Sequence, residues 1–289
     1  MRDFEYEAPT SLAEAVRVLS QHNGRARPLA GGTDLIDQIR MGRHQPLVVV
    51  DIKKIPELMT LQLAATGLRV GAAVPCYRIY GDARISETYA ALADSARIIG
   101  GIQIQSRASI GGNLCNSGPA ADSTPSLMAL GAVAVIAGAK GQREVGVEKF
   151  CTAPGKNVLE PGEFLVELRF PPRPSHSGSH YRRFIPRNEM DIAVVGVAAS
   201  VVLDEKGESF VSAKIALGAV GPTPLNAQAA SDLLAGQKVS DEIIGRAADA
   251  AMSIARPIDD MRGTREFRMH VTGVLARRVI EEAVKQARR

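Results

Sequence analysis

The 289-residue chain has three cysteines, no tryptophan and only 4% aromatic residues. Cys76, Cys115 and Cys151 are widely spaced and odd in number, with no CxxC pair among them. That pattern excludes a disulfide framework and gives no cluster-binding set on this chain. His22, His44, His176, His180 and His270 show no ligand spacing either, so no metal site is expected. With so few aromatics there is little to stack on bases. The net charge of +4 is scattered along the chain, which speaks against nucleic-acid binding. No run approaches the roughly 20 apolar residues that cross a bilayer, and residues 1–6 lack the apolar region of a signal peptide. A soluble, cytoplasmic protein is expected. The chain also lacks a G-x-G-x-x-G after a strand, a G-x-x-x-x-G-K-[ST] and a G-x-S-x-G, so a Rossmann NAD site, a P-loop and a hydrolase elbow are not expected.

What the chain does have is an unusual stretch from Ser109 to Ser126, SIGGNLCNSGPAADSTPS. It is small, polar and rich in glycine, and it reads as a binding loop. Gly111 and Gly112 lack a Cβ, so the backbone there is free to adopt positive φ and to offer bare N–H groups to a ligand. Successive N–H groups form a nest suited to a phosphate or pyrophosphate. Ser109, Asn113, Asn116, Ser117, Ser123, Thr124 and Ser126 add short hydrogen-bonding side chains. Asp122 adds an acceptor suited to a ribose or ribityl hydroxyl, although an acid before Ser-Thr-Pro is also a natural turn former. Cys115 reads as a packing residue, because no base is identifiable beside it. A second segment, Pro28-Leu29-Ala30-Gly31-Gly32-Thr33-Asp34-Leu35, has the same design, with Thr33 and Asp34 at the start of a helix.

Two glycine turns in one chain narrow the reading further. The AGGTDL of Ala30 to Leu35, the SIGGN of Ser109 to Asn113 followed by Asp122, the Asp191-Ile-Ala run after Tyr181-Arg-Arg-Phe, and the ALGAVGPTPL from Ala216 to Leu225 occur in order over almost the whole chain. In these motifs the sequence resembles the FAD-binding medium subunits of the molybdenum hydroxylases, which include xanthine dehydrogenase and aerobic carbon monoxide dehydrogenase. The resemblance implies an α+β fold: a two-lobed FAD-binding domain of the vanillyl-alcohol oxidase (PCMH) type, then a C-terminal domain with a small antiparallel sheet and helices. It implies FAD on this chain, in contact with Pro28 to Leu35, with Ser109, Ile110, Gly111, Gly112 and Asn113, and with Asp122. It also implies that Leu165 packs near the flavin and that Arg183 is a cation near its ring or phosphate. Many relatives carry lysine where this chain has Arg183. Ile99 stands where some relatives carry a stacking aromatic, and Tyr181 is the nearest candidate to supply that stack. The implied partners are a large subunit with a molybdenum cofactor and a small subunit with two [2Fe-2S] clusters, in a dimer of heterotrimers. The flavin would pass electrons to NAD, oxygen or a quinone, and no side chain here need act as acid, base or nucleophile. A self-contained flavin oxidoreductase and a scaffold subunit without FAD remain the alternatives.

Taken in order, Ser11 and Glu14 form a capping box for an amphipathic helix that closes at Asn23 or Gly24. A strand over 26–30, a helix over 33–41 and a strand over 47–51 complete a β–α–β unit near Ile55. A strand is expected over 67–74, helices over 75–80 and 86–99, paired strands over 133–137 and 143–147, and a strand over 165–170. The Pro-, Ser- and Gly-rich segment from Pro171 to Ser179 marks a domain boundary. The expected domains are residues 1–174, with lobes of about 1–55 and 56–174, and residues 179–289. Strands over 192–203 and 212–220 and helices over 240–255 and 265–286 make up the second.

Overall fold

The computed structural model describes residues 3–22, 24–187 and 189–289. The first helix, Leu12–Gln21, starts with the Ser11 half of the expected capping box, while Glu14 reaches one residue further back. Ser11 Oγ accepts the Glu14 N–H at 3.3 Å, and the Glu14 carboxylate accepts the Thr10 N–H at 3.0 Å. Such a cap contributes about 1 kcal/mol. The helix ends at His22, and Gly24 follows at φ +80. Asn23, the other expected terminator, lies outside the described residues. Strand Ala26–Leu29 pairs in parallel with Val48–Asp51, and helix Leu35–Arg40 connects them. On its other side Val48–Asp51 pairs in parallel with Glu5–Glu7. That third strand is absent from the sequence reading, because Glu-Tyr-Glu has no apolar alternation and all three residues are exposed.

A second sheet is antiparallel throughout, in the order Leu61–Ala64, Gly67–Gly71, Phe164–Phe170, Val133–Gly138, Gly141–Gly146. Its centre is the apolar strand Phe164–Phe170, which inserts between two hairpins that precede it in the chain, Leu61–Gly71 and Val133–Gly146. The strand expected over 67–74 stops at Gly71, and Ala72–Val74 runs on as a buried connection. The helix expected over 86–99 breaks into Ala83–Thr88 and Ala90–Arg97 at Tyr89. Tertiary packing overrides periodicity there. The Tyr89 ring is fully buried edge-on to Phe170, with centroids 5.8 Å apart, and its hydroxyl donates to the Pro171 carbonyl at 2.8 Å.

The C-terminal sheet has the order Ser177–Phe184, Val195–Leu203, Phe210–Gly218, Leu225–Asn226, again antiparallel. Alternate residues of a strand face opposite sides. Val197, Ile215 and Leu217 therefore join Leu275, Val279 and Ile280 of helix Arg265–Ala287 in one core. Tyr181, Ala198 and Ala216, which lie side by side in register, join the core of the preceding domain instead. The sheet is thus buried on both faces. Val271, Leu275, Val279 and Ala283 form a buried apolar stripe along the last helix, whereas Phe267 is partly exposed and stacks edge-on against Phe184. The architecture is the expected α+β arrangement: a parallel three-stranded sheet and an antiparallel five-stranded sheet with helices, followed by an antiparallel four-stranded sheet packed on helices.

Candidate functional site

The two glycine segments meet backbone to backbone. Pro28 and Leu29 end their strand, and the turn Ala30–Thr33 follows it. A Cβ on Gly31 would stand 2.1 Å from the Arg107 carbonyl oxygen and 3.0 Å from Ala108 Cα, so only glycine lets this turn lie on the residues leading into Ser109. Gly32 has φ +79, a left-handed conformation that glycine adopts without strain. Asp34 occupies the N-cap position of helix Leu35–Arg40, but its carboxylate caps nothing there. The Ala30 carbonyl accepts from Lys53 Nζ at 3.0 Å, and that ammonium is also held by Asp51 at 2.7 Å. A second tie between the segments is Gln38 Nε2, which donates to Asn116 Oδ1 at 2.8 Å.

The stretch from Ser109 to Ser126 differs from the expected loop, because it folds into two short helices, Ile110–Asn116 and Ser123–Ala129. Ser109 is the N-cap of the first, its Oγ accepting the Gly112 N–H at 3.0 Å. Gly111 and Gly112 are not among the positive-φ residues, so their expected freedom is not what the fold uses. Gly111 is needed for packing: its Cβ would lie 2.4 Å from Ala72 O and 2.6 Å from Ala72 Cα. The Ala72 N–H in turn donates to the carbonyl of Val166, the neighbour of Leu165, which is buried in the central strand. Ile110 is buried beneath the same turn. Asn113 joins the two helices, its Oδ1 accepting from Ser123 Oγ at 2.7 Å and from the Ser123 N–H at 3.2 Å. Of the pooled hydroxyls, those of Thr124 and Ser126 are buried without a partner.

Asp122, at the start of the second helix, is 8% exposed. Its carboxylate accepts from Tyr181 Oη at 3.0 Å and from Arg183 Nη1 at 2.6 Å. Burial pushes this carboxyl up to about 6, against the opposing pull of Arg183 and the Tyr181 hydrogen bond. The Tyr181 phenol is raised well above its ordinary value, first by burial and then by the charge of Asp122. Arg183, whose side chain is 5% exposed, also donates to the Asp191 carbonyl at 3.3 Å. The cation expected at a flavin ring or phosphate is therefore paired inside the protein with Asp122, the acid of the Ser109–Ser126 stretch. Tyr181 lies with its ring in the core, not on a free face that could supply the stack Ile99 lacks. A cavity of about 820 Å³ opens beside Tyr181 and Arg183, bounded further by Asp94, Arg97, His180 and Arg278. Burial pushes the Cys76 and Cys115 thiols up to about 12 and raises that of Cys151, which keeps all three protonated.

Sequence reasoning missed the Tyr181–Asp122 bond, the Lys53–Ala30 bond and the Gln38–Asn116 tie. Only the first had a signal: Tyr181 and Arg183 are two apart on a strand and so project from one face. Among the described residues no group of three or more His, Cys, Asp or Glu side chains is placed to hold a metal ion. No described helix is long and apolar enough to cross a membrane.

Comparison with known proteins covers both domains. A family model described as the FAD binding domain in molybdopterin dehydrogenase matches residues 2–173, and one described as the CO dehydrogenase flavoprotein C-terminal domain matches residues 180–283. The chain is 33% identical over 290 residues to the xanthine dehydrogenase FAD-binding subunit of Escherichia coli, covering 99% of this chain and 98% of that protein. It is 32% identical over 285 residues to the carbon monoxide dehydrogenase medium chain of Afipia carboxidovorans, again covering 99% and 98%. Among solved structures, the carbon monoxide dehydrogenase of Hydrogenophaga pseudoflava matches with a TM-score of 0.93 at 30% identity, over 99% of this chain and 98% of that one. This chain therefore belongs to the family of FAD-binding medium subunits of the molybdenum hydroxylases, oxidoreductases of the xanthine and carbon monoxide dehydrogenase type.

Proposed function

We propose that this chain is the electron-transferring flavoprotein subunit of a cytoplasmic molybdenum hydroxylase complex. In this reading residues 1–174 form the FAD-binding domain, with lobes of about 1–55 and 56–174, and residues 179–289 form the C-terminal domain. The observation that carries it is the contact of Gly31 with Arg107 and Ala108, because it joins two separately legible nucleotide-type segments into one surface.

The residues present fit FAD. The half-buried turn of residues 30–33 lies against the residues leading into Ser109–Asn113, whose Gly112 and Asn113 are half-buried as well, a pair of glycine-containing turns suited to a pyrophosphate. Thr124 carries a buried hydroxyl without a partner two residues beyond Asp122. Each Asp122 oxygen takes one donor within the protein and keeps acceptor capacity for a ligand hydroxyl. Leu165 lies behind the Gly111–Ala72 contact as apolar support, and Arg183 holds Asp122 in its ionised form. The flavin, when bound, supplies chemistry that accepts electrons singly and releases them in pairs. The chain's own residues bind and orient it, and none of them acts as acid, base or nucleophile.

The partners in this reading are a large subunit with a molybdenum cofactor and a small subunit with [2Fe-2S] clusters, assembled as a dimer of heterotrimers. The clusters deliver electrons to this chain, which passes them to NAD, oxygen or a quinone. An absorption spectrum of the chain alone, then co-expressed with its neighbours, tests the reading. Flavin bands with FAD released on denaturation are expected, and iron–sulfur absorbance is expected only on co-expression. A colourless chain that takes up no added FAD in either setting would overturn it.

A further inference from the structure

Both side chains that hold the Asp122 carboxylate come from one strand of the C-terminal sheet, Ser177–Phe184. Tyr181 and Arg183 project from the same face of that strand and take one carboxylate oxygen each. The slot for the phenol is built into the next strand. A Cβ on Gly196 would lie 2.6 Å from Tyr181 Oη, so a side chain there would push the hydroxyl off its place. The Asp122 backbone is set by the same sheet. A Cβ on Gly218 would meet Pro125 Cγ at 2.8 Å, and the Ala219 N–H donates to the Pro119 carbonyl at 2.8 Å. The phenol, 4% exposed, has one proton to donate and gives it to Asp122. A buried donor left without its acceptor is unfavourable, so the pair is held in register.

We propose that Tyr181 is a positioning residue of the cofactor site: it fixes the orientation of the Asp122 carboxylate so that its remaining lone pairs face a ligand hydroxyl, which makes the C-terminal sheet part of that site. The proposal rests on the reading of Asp122 as the hydroxyl-binding acid of the FAD site. Tyr181 touches no cofactor atom in this scheme and acts through Asp122 alone.

The test is a double-mutant cycle on FAD affinity, measured by titrating the full-length apoprotein with FAD and following flavin fluorescence, with thermal unfolding recorded for each variant. Asp122→Ala, which removes both acceptor oxygens, is expected to weaken FAD binding by about tenfold or more, and Tyr181→Phe by about tenfold, the scale of a hydrogen bond to a charged group. The double variant should bind no more weakly than Asp122→Ala alone, because Tyr181 has nothing left to position. If the two factors multiply instead, Tyr181 acts independently of Asp122 and the proposal fails, while Asp122 remains a cofactor contact. If Asp122→Ala binds FAD as the wild type does, the reading of Asp122 fails and takes the proposal with it. Gly196→Ala keeps the phenol and fills its slot, so it should weaken FAD binding like Tyr181→Phe and also lose its effect in an Asp122→Ala background. Full affinity in Gly196→Ala would overturn the proposal even if Tyr181→Phe did not fold.

Discussion

Gly31 lies so close to Arg107 that a single methyl group at position 31 would stand 2.1 Å from the Arg107 carbonyl oxygen. Two loops 76 positions apart in the chain are thereby held at backbone contact, and this contact is where a substitution should be felt most sharply.

Gly31→Ala should therefore destabilise the protein by about 1–3 kcal/mol, the range for overpacking, and reduce its flavin content. Gly111→Ala should do likewise, against the Ala72 backbone. Gly118 has open space around it and no positive φ, so Gly118→Ala is the control and should unfold with the wild type. Urea unfolding with flavin quantitation reads all three; a fully stable, fully loaded Gly31→Ala would show that the loops are free to part.

Asp122 supplies a pH signature. Its carboxyl is pushed up to about 6 in the folded protein by burial. In the unfolded chain it titrates near 3.9. Between those values the native state holds a proton that the unfolded chain has shed, so the contribution of this group to stability is complete at low pH and falls as pH rises. At about 1.4 kcal/mol per pKa unit the loss is roughly 3 kcal/mol, complete by about pH 6. The stability of wild type relative to Asp122→Asn should fall across that window and be level above it. Affinity for FAD should move the other way, strengthening as pH rises through about 6, because a ligand hydroxyl donates to the carboxylate. An affinity that is flat with pH in the wild type would contradict the contact.

Arg183 and Asp122 form an ion pair with both side chains largely buried. Arg183→Met removes one partner and leaves the other charge alone, which should destabilise by about 3–5 kcal/mol at neutral pH. That penalty should shrink below about pH 6, where Asp122 is protonated. Arg183→Lys keeps the charge and should retain most of the stability, while losing the bond to the Asp191 carbonyl. Unfolding curves at pH 5 and pH 7.5 separate the variants.

Ser109→Ala removes the cap on helix Ile110–Asn116 and should cost about 1 kcal/mol. It also releases the Gly112 N–H from Ser109 Oγ. Hydrogen exchange at Gly112 should speed up in the variant without bound FAD; unchanged protection there would mean that the cap does not hold this donor.

Much of this site was legible before any coordinates, and the reason is local. Ala30 to Leu35 and Ser109 to Asn113 carry their chemistry in adjacent residues, and strands such as Val48–Asp51 announce themselves by a β-branched run. What escaped was set by distant partners. Glycines 111 and 112 looked like sources of positive φ, yet Gly111 is explained by Ala72, a residue 39 positions earlier. The break at Tyr89 depends on Phe170 and Pro171. Arg183 and Tyr181 meet Asp122 only because the sheet that carries them packs on helix Ser123–Ala129.

The central position of strand Phe164–Phe170 governs how this domain assembles. Until that strand is available, the hairpins Leu61–Gly71 and Val133–Gly146 each present an open hydrogen-bonding edge, and neither can pair with the other in the native order. Closing the sheet requires contacts spanning about a hundred residues, which places this step late and makes it slow. During synthesis the inner edges of both hairpins stay unpaired until residue 170 has cleared the ribosome, and an unpaired edge is a template on which another chain can pair.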